Sequence, residues 1–113
     1  MTRMANDWKE VECEVNRIIN ESTEPFDIDT IENVRDFLAF LRDRYPIPMV
    51  SRGYWNTILL NWESAARGNL QIEIFGDRLE IYHFEPKFEV WYEPHTAGQR
   101  FSPALVAELP PLV

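Results

Sequence analysis

The stretch 70-LQIEIFGDRLEIYHF-84 decides the fold. Leu70, Ile72 and Ile74 alternate with Gln71 and Glu73, the period of a strand with one buried face. Gly76-Asp77 then interrupts the pattern, and alternation resumes through Leu79 and Ile81. Two residues between two alternating runs read as a β-hairpin turn, and glycine in the first place predicts type II′ geometry. That turn sets the register: residue 75 faces 78, 74 faces 79, 73 faces 80 and 72 faces 81. One face gathers Leu70, Ile72, Ile74, Leu79 and Ile81, with His83 beside Leu70. The other carries Phe75 and Tyr82 among Glu73 and Glu80.

Working outward, 54-YWNTILLNW-62 predicts a preceding strand from about Trp55 to Trp62, joined through ESAARGN. If Trp62 pairs near Leu70, then Ile58, Leu60 and Trp62 extend the apolar face. On the other side Glu85-Pro86 cannot form a tight primed turn, since proline cannot adopt positive φ. A four-residue loop from Phe84 to Lys87 would place Phe88, Val90 and Tyr92 inside, and Glu89, Trp91 and Glu93 outside. Residues 46–53, PIPMVSRG, read as a crossing loop closed by Gly53.

Two helices precede the sheet. Asp7 and Glu10 have capping-box spacing, and Trp8, Val11, Val15, Ile18 and Ile19 form one stripe. Cys13 points away from it, between glutamates that disfavour a thiolate. Asp29 with Glu32 repeats the signature, and the second helix runs to Tyr45, before Pro46. Its stripe is Ile31, Val34, Leu38, Leu41 and Tyr45, while Phe37 and Phe40 lie off it. A helix apolar on two sides must be covered on two sides, by the carboxy-terminal segment or by a partner. Ser102-Pro103 marks a short last helix through Glu108, with Leu105, Val106 and Leu109 available to cover Phe37 and Phe40. The expected class is α+β in one domain, residues 1–113. Residues 1–45 supply two helices on one face of a four-stranded antiparallel meander (54–93), followed by an irregular tail (94–113) with a short helix.

Composition limits function. A chain of 113 residues holds one core. No apolar run approaches the ~20 residues of a spanning helix. MTRMANDWKEVE lacks the hydrophobic run of a secretory signal, and Cys13 is the single cysteine. A cytoplasmic location is the expectation. Net charge is −8, and from Glu10 to Glu32 eight acidic residues stand against the single basic Arg17. Such a field repels nucleic-acid phosphate and anionic lipid and attracts basic protein surfaces.

Signals for catalysis are sparse. The four glycines form no phosphate loop, and His83 and His95 have no serine or cysteine at nucleophile spacing. By register His83 faces the core, whereas His95 reads as a solvated loop residue. No catalytic, cofactor or metal residue is expected. An enzyme built on Glu73, Glu80 and His83 is the weakest reading. Aromatics beside carboxylates suit docking against arginine. The residues expected to bind a partner are Glu10, Glu14, Glu21, Glu24, Asp27, Asp29, Glu73, Glu80, Tyr82, Glu89, Trp91 and Glu93. The alternative is a structural module that self-associates through Phe40 or Trp91.

Pro48, Gly53, Trp62-Glu63, Leu70-Gln71-Ile72-Glu73-Ile74 and Asp77 together resemble a pattern in small bacterial and phage proteins of mobile elements and defence loci. That resemblance implies an anti-CRISPR-like or antitoxin-like inhibitor, non-enzymatic, occupying a basic surface of a nucleic-acid-handling protein. The charge pattern, with carboxylates where phosphate binding needs lysine or arginine, makes direct contact with nucleic acid or membrane unexpected.

Overall fold

A computed structural model describes residues 5–64, 68–84 and 88–111; residues 65–67 of the ESAARGN connection and residues 85–87 of the expected four-residue loop lie outside them. The order of elements is α1 (Trp8–Glu21), α2 (Ile28–Leu41), β1 (Met49–Arg52), β2 (Ile58–Ser64), β3 (Gly68–Ile74), β4 (Arg78–His83), β5 (Glu89–Pro94) and α3 (Pro103–Glu108). The five strands form one antiparallel sheet in the order β1-β2-β3-β4-β5. The architecture is α+β, with five strands instead of four. The extra strand, β1, comes from the segment read as a loop. MVSR is short, preceded by Pro46 and Pro48 and followed by Gly53, and its pairing of Val50 with Leu60 is a tertiary gain that local pattern does not signal.

The hairpin register holds as read: Ile74 pairs with Leu79, Glu73 with Glu80, Ile72 with Ile81 and Leu70 with His83. Trp62 pairs with Leu70, which brings Ile58, Leu60 and Trp62 onto the same buried face. The turn itself is not type II′. Phe75 N–H donates to Arg78 O (3.0 Å), but Gly76 does not take the positive φ that type II′ requires. Glycine eases a close approach there: a Cβ on Gly76 would stand 3.1 Å from Asp29 Cβ and 3.2 Å from Thr30 N at the start of α2, tight enough that the helix would have to give by a few tenths of an ångström.

β5 is turned over relative to expectation. His83 pairs with Glu89 and Ile81 with Trp91, so the connection is one residue longer than a four-residue loop. A one-residue change exchanges the two faces of a strand. Glu89, Trp91 and Glu93 therefore share the helix-side row, and Trp91 packs half-buried against the core. Phe88, Val90 and Tyr92 are exposed instead of buried.

The helices cover the sheet as the stripes direct. Asp7 caps α1 by accepting from Glu10 N–H (2.8 Å), and Trp8, Val11, Val15 and Ile18 are buried; α1 lies across β1 and α2 across β3. The N-cap of α2 is Asp27, without a side-chain bond, so Asp29 falls inside the first turn. The helix stops at Leu41, four residues short of Tyr45, where Asp43 takes the left-handed conformation (φ 62°) and reverses the chain. Phe37 is fully buried, and Phe40 is covered by the carboxy-terminal segment, chiefly Phe101: ring centroids are 5.3 Å (Phe37) and 4.6 Å (Phe40) from it. Leu105 and Leu109 join the core itself. In α3, Ser102 Oγ accepts from Leu105 N–H (3.1 Å) and donates to the Glu93 carboxylate (2.6 Å). Asn33 ties the layers together, donating to Phe75 O (2.8 Å) and to His95 O (2.9 Å).

Candidate functional site

The open face of the sheet carries two rows that the register fixes. One runs Ser51, Leu59, Glu73, Glu80, Tyr92, and the other Met49, Asn61, Gln71, Tyr82, Val90. The turn from Gly53 to Thr57 folds over the first row, closed by a Gly53 N–H to Thr57 O bond of 2.8 Å. Beneath it Glu73 is fully buried. Its carboxylate accepts from the Thr57 hydroxyl, from Tyr54 N–H (2.9 Å) and from Tyr82 Oη (3.1 Å). A buried carboxylate is tolerable only with such donors around it. Gly53 makes the close approach possible, since a Cβ there would sit 2.0 Å from Thr57 Oγ1 and 2.6 Å from Glu73 Oε2. Glu73 therefore leaves the list of docking residues and becomes the anchor of the turn. The sequence signal that could have found this is the GYWNT stretch, a glycine-led segment opposite an isolated glutamate.

From Glu73 a polar chain runs across β4. Tyr82 Oη is 2.8 Å from Glu80 Oε1, so its single hydrogen serves one of the two carboxylates at a time. Arg78 Nε donates to Glu80 (2.8 Å) and its Nη1 to Asp77 (2.9 Å). Burial, then the bond to Glu80 and the nearby charge of Glu73, raise the Tyr82 phenol well above its ordinary value. The bond to Glu80, reinforced by Asp77, holds Arg78 still more firmly protonated. Its guanidinium lies 3.9 Å over the Phe75 ring, so the arginine–aromatic contact expected from a partner is already made inside the chain.

The turn that buries Glu73 lifts its own aromatics into solvent: Trp55 is 70% exposed and Tyr54 68%. Trp55 borders a groove also lined by Asp27, Asp29 and Thr30 at the start of α2 and by Phe75, Gly76, Asp77 and Arg78 of the hairpin turn. Three carboxylates thus meet an exposed indole at one end of the sheet. Two of them, Asp27 and Asp29, were expected partner residues; Trp55 and Asp77 were missed, because Trp55 was read as the start of a strand.

The other expected residues scatter. Glu10, Glu21 and Glu24 are exposed on and just after α1, away from the groove, with Glu21 held by Arg17 at 2.8 Å. Glu14 is buried and paired with Arg17, which removes it from a docking surface. Glu80 and Tyr82 stay on the open face, half-buried in the chain just described. Glu89, Trp91 and Glu93 sit on the opposite, helix-side row, with Glu93 engaged by Ser102. Both surfaces named for self-association, Phe40 and Trp91, are packed against the core.

The two histidines do not assemble a catalytic centre. His83 lies on the helix-side row, across the sheet from Glu73 and Glu80. His95 is not solvated but buried, stacked on Phe101 (4.3 Å, 18°) with Nε2 at 3.4 Å from Asp36 Oδ2. Its backbone bonds to Asn33 and Asp77 draw it inward. Among the described residues no group of three or more His, Cys, Asp or Glu is placed to hold a metal ion, and no helix is long and apolar enough to cross a membrane. Cys13 is exposed on α1, as read. No protein-family model, curated protein or solved structure matches this chain.

Proposed function

We propose that this chain is a small non-enzymatic, cytoplasmic inhibitor, anti-CRISPR-like or antitoxin-like, that docks on a basic surface of a nucleic-acid-handling protein. The observation that supports the reading is the groove whose lining includes the exposed Trp55 together with Asp27, Asp29 and Asp77, the last of these already paired with Arg78. An indole supplies the apolar anchor of an interface, and carboxylates around it select lysine or arginine. The net charge of −8 adds long-range attraction to a cationic partner and repels nucleic acid itself. The turn is held by bonds to a buried carboxylate, so little conformational entropy is lost when a partner meets it.

The test is capture from the native cell with the wild-type chain and with two variants, Trp55→Ala and Asp27→Asn/Asp29→Asn. The expected result is a basic nucleic-acid-binding protein retained by wild type, lost with both variants, and released as salt rises toward half-molar. A partner retained equally by all three chains, or indifferent to salt, overturns the proposal.

A further inference from the structure

β5 is the last strand of the meander; it pairs with β4 on one side and, among the described residues, with no strand on the other. It is also the most exposed strand of the sheet. Phe88, Val90 and Tyr92, on its open side, are 61%, 47% and 65% exposed. An edge strand of this kind offers a row of backbone donors and acceptors beside apolar side chains. Chains guard such edges with lysine, inward charges or bulges. Here Pro94 ends the strand and its only charges are Glu89 and Glu93 on the helix-side row, a guard against a like-charged strand that leaves the edge open to a basic one.

The charges choose the occupant. A second copy paired antiparallel over the whole strand would set Glu89 opposite Glu93 of its mate at both ends of the ladder, and each copy brings a charge of −8. A basic segment reverses both terms. We propose that the outer edge of β5 receives an extended, lysine- or arginine-bearing segment of the partner protein as a sixth strand. Alternate side chains of that segment lie on opposite faces. Its apolar residues meet Val90 and Tyr92 on the open face, and its basic residues follow the helix-side row of Glu89 and Glu93. This rests on the reading of a cationic protein partner and adds the form it takes at a second surface, separate from the Trp55 groove.

A short peptide alternating lysine with valine and threonine is the probe, followed by amide hydrogen exchange and by nitrogen-15 NMR of the full chain. Expected are about tenfold slower exchange at residues 89–93, loss of binding as salt rises, and no effect of a peptide with glutamate in place of lysine. A version N-methylated at alternate backbone positions should also fail, because it cannot complete the ladder. Val90→Thr and Tyr92→Ser, both at exposed positions, should weaken binding about tenfold with unchanged melting. Slowed exchange confined to residues 27–29, 55 and 77 overturns strand addition while leaving the docking reading intact. Equal binding of the N-methylated peptide, or no binding of the lysine peptide, also overturns it. So does concentration-dependent dimerisation that protects β5 without peptide.

Discussion

Replacing Glu73 tests whether the turn that presents Trp55 is held from below. In Glu73→Ala the Thr57 hydroxyl and Tyr54 N–H lose their acceptor under a turn that excludes water. Each stranded donor costs about 1–3 kcal/mol, and the vacated space adds to it, so a loss of about 3–5 kcal/mol is expected. Glu73→Gln keeps one carbonyl for those two donors and turns its amide toward Tyr82 Oη, which can accept. It forfeits charge assistance on two bonds but relieves the like-charge pairing with Glu80, so its net cost should stay within about 1.5 kcal/mol. Urea unfolding followed by tryptophan emission reads both. With a slope of about 1.5 kcal/mol per molar, the midpoint should fall by about 2–3 M for alanine and by less than about 1 M for glutamine. Hydrogen exchange at residues 54–57 should accelerate in the alanine variant alone. Equal losses for the two variants would refute the reasoning, because charge and not the acceptor would then be what the turn requires. A neutral alanine variant would refute it more directly, since the donors would have found other partners.

Other perturbations separate further parts of the argument. Asn33→Asp places an acceptor against the Phe75 and His95 carbonyls and should cost about 3 kcal/mol or more by thermal unfolding at neutral pH; a loss under about 1 kcal/mol would show that the two bonds do not join the layers. Phe101→Ala should lose about 2–4 kcal/mol and expose Phe40, detectable as increased binding of a hydrophobic dye relative to wild type. Tyr82 holds its proton more tightly folded than unfolded, so its contribution is complete below the unfolded value near pH 10 and is lost as pH rises beyond it. Tyr82→Phe should therefore flatten the alkaline fall in stability above about pH 10, and an unchanged slope would count against the burial of the phenol beside Glu80 and Glu73.

The hairpin was legible because its information is local: two residues between alternating runs set both the pairing and the faces of Leu70, Ile72, Leu79 and Ile81. Helix α1 and the start of α3 were legible for the same reason, since Asp7 and Ser102 act within three residues of themselves. What was not legible depended on distant partners. The phase of β5 turned on one residue in the connection after His83, and that single step moved Trp91 inward and Tyr92 outward. β1 exists because Val50 finds Leu60, and His95 is buried because Asn33 and Phe101 receive it. At the candidate site the charge of Asp27 and Asp29 could be read, but not that a turn would cover Glu73 and raise Trp55 beside them. The Phe75 surface proposed for arginine had an arginine of its own, Arg78, three positions along.

The amide of Asn33 waits for a carbonyl 62 residues later. On a translating ribosome, at about 5–20 residues per second, that interval amounts to roughly 3–12 s during which α2 exists without its second tether. A nascent chain cut before His95 therefore has every strand of the sheet but lacks both the carbonyl that Asn33 meets and the Phe101 ring that covers Phe37 and Phe40. Residues 95–109 carry the groups that lock α2 in place, so a product that stops before them should be fit for proteolysis and not a shorter working version.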